Sequence, residues 1–296
     1  MTLNKLPLLR RLFAYFGHCP RATRLRWGRL LGWLTPRLLR SRARVVRTNL
    51  NLCFPDLAPG DIEVVLRRHF RLLAQSVIDR GLCWFGDRQA ILDTVRIEGL
   101  EHLDALLQAK RPIVLLAPHF IGLDAAATRL TLFLKESATL YTEQRDPDVD
   151  RLVREGRGRF NRVHLISRRE GVRGLIRQLR LGIPVYYLPD MDFGRKGAVF
   201  APFFGVPAST LTATAQIAGA WQAAIVPIIS RLDPDTGRYR IDVLAPLADF
   251  PGTDGVEEAT ARLNRLIETW IRPDPAQYYW VHKRFKTRPR GEPKPY

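Results

Sequence analysis

The residues best suited to chemistry stand in the stretch IVLLAPHFIGLDAA, where His119 and Asp124 are five positions apart. An imidazole with a carboxylate on one ring nitrogen makes a general base. The carboxylate fixes the tautomer, and the other nitrogen is left to take a proton. The spacing predicts that Asp124 supplies that carboxylate. Taken alone, it fits an aspartate capping a helix beside a hydrogen-bonded histidine better than it fits a dyad. No second histidine or cysteine lies nearby in sequence, so no metal site is expected.

The elements around the pair strengthen it. IVLLA is a continuous apolar run, as expected of a strand buried on both faces. LDAAATRLTLFL has helical spacing, which puts His119 beyond the carboxyl end of a strand and Asp124 near the first turn of the next helix. Ligands of open α/β sheets bind at that edge. The same alternation runs along the chain. Residues 61–85 read as a long helix, with apolar positions at Ile62, Val65, Leu66, Phe70, Leu73, Val77 and Ile78. TVRIEG, PIVLLA, SATLYT, VHLIS, PVYYLP, AIVPIISRL and RYRIDVLAPL read as strands. Helical patterns separate most of them, and VEEATARLNRLIETWIR reads as a last long helix. The expectation is an α/β protein with a mostly parallel central sheet flanked by helices.

The charge is strongly asymmetric: 47 Lys and Arg against 29 Asp and Glu, a net of +18. Such a surplus points to a polyanionic partner, and arginine forks suit phosphate better than lysine point charges. Twelve basic residues precede residue 56 (Lys5, Arg10, Arg11, Arg21, Arg24, Arg26, Arg29, Arg37, Arg40, Arg42, Arg44 and Arg47) with no acid among them. Between them lie Leu8, Leu9, Leu12, Phe13, Tyr15, Phe16, Trp27, Leu30, Leu31, Trp33 and Leu34. The longest uncharged stretch, 12–20, is shorter than the ~20 residues of a membrane span. Residues 1–50 are therefore expected to form a basic amphipathic helical arm that lies on an anionic membrane, and residues 51–296 a single α/β domain. Cys19, Cys53 and Cys83 are odd in number, without a CxxC or a histidine cluster. Neither a disulfide framework nor a zinc site is expected, and the reducing cytoplasm is the expected compartment.

HxxxxD after an apolar strand is the signature of the glycerolipid acyltransferases. The blocks RVVRTNLNLCFPDL, APHFIGLDAA, GRGRFN, YYLPDMDFGRKGAVFAPFFGVPASTLTAT and PAQYYWVHKRFKTRPRGEPKPY resemble one branch closely, the bacterial lipid A late acyltransferases (lauroyl/myristoyl transferases). Many members begin with a hydrophobic span where this chain has its basic aromatic arm, so peripheral attachment to the cytoplasmic face of the inner membrane is expected. The resemblance implies an acyltransferase-like fold. It implies transfer of a fatty acyl group from an acyl carrier protein thioester to a hydroxyl of a lipid A precursor, an anionic lipid acceptor, with no cofactor or metal. His119 would be the general base and Asp124 its orienting partner. Arg157, or Arg159 in its place, would contact the oxyanion or a phosphate. Asp190 or Asp192 would contact the acceptor, or else only turn the chain. VFAPFFGVPAST would form an apolar wall for the acyl chain, or plain core. Lys283, Arg284, Lys286 and Arg288, with Arg290 beyond them, would form a surface for the acceptor's phosphates. His282 is expected to be structural or a hydrogen-bond donor, and His18, His69, His102 and His164 structural. A lysophospholipid or an aminolipid is the alternative acceptor. A basic nucleic-acid-binding protein is the alternative of another class, but the chain has no helix-turn-helix, zinc or RNA-recognition motif, and no nucleic-acid partner is expected.

Overall fold

A computed structural model describes residues 6–167 and 169–296; Lys5 of the basic arm lies outside them. Three helices, α1 (Leu6–His18), α2 (Arg21–Leu38) and α3 (Arg40–Cys53), precede the long α4 (Pro59–Phe85). Pro59 and Asp61 in its first turn favour the start of α4, since proline's missing N–H is not needed there and an acid suits the helix dipole. From residue 6 onward the basic arm is a helical layer seated on α4. Glycine permits the close approach: a Cβ on Gly32 would stand 2.5 Å from the Arg71 Cα. A buried ion pair then pins α2 to α4, with Arg24 Nε 2.8 Å from Asp79 Oδ1. Gln75 and the Tyr239 hydroxyl both donate to Asp79 Oδ2, so the buried carboxylate is fully paired.

The α/β region continues with α5 (Arg88–Thr94), β1 (Val95–Glu98), α6 (Leu100–Gln108), β2 (Ile113–Leu116), α7 (Leu123–Thr131), β3 (Glu136–Tyr141) and α8 (Pro147–Arg157). Next come β4 (Arg162–Ser167), α9 (Gly171–Arg180), β5 (Val185–Tyr187), β6 (Ala198–Phe203), β7 (Val206–Leu211) and α10 (Ala213–Trp221). β8 (Ala224–Leu232), β9 (Tyr239–Val243), α11 (Val256–Ile271) and a 3-10 turn over Pro275–Gln277 complete it. Gly99, between β1 and α6, has φ +82°, and a Cβ there would meet the Val243 carbonyl oxygen at 2.0 Å, so this corner requires glycine.

Seven strands form one sheet in the order β1-β9-β8-β2-β5-β3-β4. All neighbours are parallel except β8 and β9, whose short connection allows only an antiparallel pairing. The mostly parallel sheet agrees with the sequence reading. β2 lies at its centre and is buried along its whole length. Val114 and Leu116 pack into one helical layer, and Ile113 and Leu115 into the other. The hairpin of β6 and β7 stands apart from this sheet.

Candidate active site

His119 follows β2 and Asp190 follows β5, two adjacent parallel strands. Leu116 is paired with Tyr187, and each site residue lies three positions beyond that pair, at 116 + 3 and 187 + 3. Parallel strands in register deliver such residues to the same edge, here the carboxyl edge. His119 Nδ1 is 2.7 Å from Asp190 Oδ1, and the His119 backbone N–H donates to Asp190 Oδ2 at 2.8 Å. The Tyr278 hydroxyl donates to the same Oδ2 at 2.8 Å, and the Tyr279 N–H donates to the His119 carbonyl at 2.8 Å. Backbone and ring of His119 are thus held together.

This corrects the expected pairing. The carboxylate on His119 is Asp190, not Asp124, because Asp124 starts α7 and points to other helices. Its Oδ2 accepts from Arg80 Nε of α4 at 2.9 Å, and its Oδ1 lies 3.5 Å from Arg157 Nη2 at the end of α8. No hydrogen bond joins His119 and Asp124 among the described residues.

Both carboxylates are kept ionised against burial. Burial alone would raise Asp190, but the His119 charge and the hydrogen bonds from His119 and Tyr278 bring its pKa down to about 2. Burial likewise opposes ionisation of Asp124, and Arg80 and Arg157 hold it below the usual carboxylate range. Burial and the Asp190 charge hold the Tyr278 hydroxyl well above its ordinary value, so it remains a donor. An ionised Asp190 accepts only, so in the neutral imidazole the proton sits on Nδ1 and Nε2 is left with the lone pair.

His119 lines a cavity of about 830 Å³ that Asp190 does not line, and with Nδ1 engaged by Asp190 the ring nitrogen left for chemistry there is Nε2. The cavity has a polar end at His119, Asp124, Arg80, Arg157 and Tyr279. Its other walls are largely apolar: Leu123, Ala127, Leu130 and Leu134 on and after α7, Ala138 and Leu140 on β3, and Val163 and Val172. Small-molecule sites have this form, an apolar cleft of about 300–1,000 Å³ with a few polar groups. The imidazole can take a proton from a hydroxyl at the polar end, and Arg157 can donate to an oxyanion or a phosphate there.

Other expected site residues lie elsewhere. Arg159 is past the end of α8, donating to the Gly86 and Cys83 carbonyls and stacking on Phe160, so of the two it is Arg157 that reaches the cavity. Asp192 accepts from the Thr287 N–H at 2.6 Å, the Thr287 hydroxyl at 2.8 Å and the Gly194 N–H at 2.9 Å, which makes it a tether for the carboxyl-terminal segment. Two of that segment's expected phosphate contacts, Arg284 and Arg288, are tied to the protein itself, while Lys286 and Arg290 are exposed. Arg284 is 2% exposed and donates to the Ser209 carbonyl and the Thr210 hydroxyl. Arg288 donates to the Pro207 carbonyl and pairs with Glu292. The fork of the guanidinium lets its terminal nitrogens meet two acceptors at once, although the Nε of each stays unpaired among the described residues. Lys283 stacks on Tyr296, Lys286 is exposed, and none of the four lines the cavity. His282 accepts the Asp192 N–H at Nε2, and burial and nearby Arg284 push its pKa down to about 4, so it is neutral.

Of the two readings of residues 199–210, a wall for the acyl chain or plain core, the contacts favour core. Phe203 and Phe204 pack against Tyr278, Phe285, Phe54 and Trp280 in the core, and Leu211 is the hairpin residue that reaches the cavity. Sequence reasoning missed Arg80, Tyr278 and Tyr279. Arg80 sits in a helix read only for its apolar face. The tyrosines lie within PAQYYWVHKRF, where nothing local distinguishes them. Among the described residues, no group of three or more His, Cys, Asp or Glu could hold a metal, and no helix is long and apolar enough to cross a membrane.

A sequence model of the bacterial lipid A biosynthesis acyltransferases matches residues 11–287. The lipid A biosynthesis lauroyltransferase of Escherichia coli K12 is 34% identical over 267 residues, covering 90% of this chain and 86% of that one. A lipid A biosynthesis acyltransferase of Haemophilus influenzae is 34% identical, covering 88% of this chain and 84% of its own. The lipid A biosynthesis myristoyltransferase of E. coli K12 is 30% identical, covering 90% and 82%.

Proposed function

This chain belongs to the bacterial lipid A biosynthesis acyltransferase family, and on that premise we propose that it moves a fatty acyl group from an acyl carrier protein thioester to a hydroxyl of an anionic lipid A precursor, with His119 as general base. The observation that carries the mechanism is an imidazole that lines a largely apolar cavity while its Nδ1 is held by buried Asp190, which leaves Nε2 free to act as the base.

The thioester is already activated, and the acceptor alcohol is the poor reactant. Nε2 takes the hydroxyl proton as the oxygen bonds to the thioester carbonyl carbon. The tetrahedral oxyanion receives hydrogen bonds from Arg157, which Asp124 and Arg80 keep oriented. Collapse breaks the C–S bond, and the departing thiolate takes the proton back from Nε2. Ester and thiol are the products, the imidazole is restored, and no covalent enzyme intermediate is needed. Asp190 orients the base and stabilises the imidazolium. The apolar walls accommodate the acyl chain.

The work site in this proposal is the cytoplasmic face of the inner membrane, held peripherally by residues 1–50 with residues 51–296 as the catalytic domain. Support comes from α1, α2 and the link after them, where Leu8, Leu12, Tyr15, Trp27, Leu30, Leu31, Trp33, Leu38 and Leu39 are exposed among the arginines.

The deciding experiment incubates purified protein with acyl carrier thioester and lipid A precursor and follows the product by mass spectrometry. Wild type adds the mass of one acyl chain. His119→Ala loses at least about 10²–10⁴-fold in rate, the usual worth of a general base. Near-normal turnover by His119→Ala would remove His119 as the base, and no product from wild type would remove the donor–acceptor assignment.

A further inference from the structure

Away from the catalytic cavity, α9 presents a second concavity of about 590 Å³. It is lined by Arg169 just before the helix and by Arg173, Arg177 and Arg180 on it, at spacings that share one helical face, with Trp221 also in the lining and Glu170 as its one acid. Glu170 pairs with Arg177 at 2.6 Å, and Arg180 stacks on Trp221 at 4.4 Å. Among the described residues, Arg169 and Arg173 have no carboxylate partner, and both are exposed. Helix folding does not account for them, because α9 packs into the protein through its buried Leu175, Gln178 and Leu179. The same helix touches both concavities: Gly171 and Val172 at its start line the catalytic cavity. The ten residues of α9 span only about 15 Å, so the arginines lie within that distance of the cavity rim.

We propose that the arginine face of α9 is the docking surface for the acidic carrier that presents the acyl thioester, whose tethered acyl group then enters the cavity past Gly171 and Val172. The proposal rests on the carrier-thioester reading above. Charge complementarity selects an acidic partner and speeds its encounter. The accompanying residues favour a protein over a bilayer. A helix lying in a membrane interface needs exposed apolar side chains beside its charges. α1, α2 and the linking Leu39 have nine large ones, whereas α9 has none between residues 171 and 180 and a single one, Leu181, at its end. The two basic regions divide the work, one facing lipid and the other facing the donor.

The test measures kcat/KM with two donors, the carrier-bound acyl thioester and the same acyl group on pantetheine alone, for wild type, Arg169→Ala/Arg173→Ala and Arg173→Glu. Arg169 and Arg173 have no acidic partner, so neither variant strands a carboxylate, and the pantetheine rate checks that the catalytic site is intact. With the carrier, the double alanine variant should fall about tenfold and the charge reversal about 10–100-fold, the range of electrostatic steering. With pantetheine thioester, both should match wild type. Added salt should shrink the wild type's preference for the carrier toward that of the variants. Equal losses on both donors, or full activity with the carrier, would overturn the docking face while leaving the donor reading intact. Wild type that uses pantetheine thioester but not the carrier would overturn the donor reading and the docking face with it. Variants that lose sedimentation with anionic vesicles yet keep carrier kcat/KM would make α9 a membrane surface instead.

Discussion

Asp124 and Asp190 are both shielded aspartates at the carboxyl edge of one sheet, and both stay ionised against the cost of burial. Their partners differ. Asp190 accepts from an imidazole, a backbone N–H and a tyrosine hydroxyl, groups that fix one ring in one tautomer. Asp124 sits between two guanidiniums from different helices, and its pairing fixes cations at the cavity's polar end. One carboxylate therefore serves the proton and the other serves charge. Five-residue spacing to a histidine did not decide which was which. Adjacency of β2 and β5 did, since it brings Asp190 under the ring while the first turn of α7 directs Asp124 toward α4 and α8.

Substituting each aspartate separates the roles. Asp190→Asn should lower kcat about 10³–10⁴-fold with little change in KM, because an amide in place of the carboxylate favours the wrong tautomer. Asp124→Asn should cost less, up to about 10²-fold, through misplacement of Arg157 and with a share of the loss in KM. Steady-state kinetics of the two purified variants checks both. A larger kcat loss at Asp124 than at Asp190 would invert the comparison. Tyr278→Phe removes one of three donors from Asp190 and sharpens it further. One hydrogen bond to a carboxylate contributes about 1.5–3 kcal/mol, but the other two donors remain, so the loss in kcat should stay within roughly tenfold.

Acid stability gives the smallest and most specific readout. The folded pKa of Asp190 is about 2, below the ordinary ~3.9 of an unfolded aspartate. Its contribution is therefore fully present above the unfolded value and is lost as pH falls through the folded one. Denaturant unfolding between pH 5 and pH 2 should show wild type losing stability that Asp190→Asn never had, so the two curves converge toward acid. Parallel curves would mean that the carboxylate is not held by His119 and Tyr278 in solution.

Much of the scaffold was legible because it is encoded locally. The helix read at 61–85 is found at 59–85, and the apolar run IVLLA is buried along β2 because a strand covered on both faces has no polar side to alternate with. The basic patches were harder to read, since charge does not reveal burial. In VHKRFKTRPR, Arg284 resembles its neighbours in sequence, yet it is nearly inaccessible because β7 offers it a carbonyl and a hydroxyl. The arm's Arg24 is likewise enclosed by Asp79, fifty-five residues away.

The sequence by itself determined the alternation of strands and helices, the place of His119 just past the central strand, the surplus of arginine and the family likeness, all carried by residues near one another in the chain. Tertiary structure alone decided which acid holds the imidazole, which arginine reaches the cavity and which cations are surface. Those outcomes depend on strand order and helix packing, and pairs such as His119 and Asp190, 71 residues apart, meet only when β2 and β5 lie side by side in register.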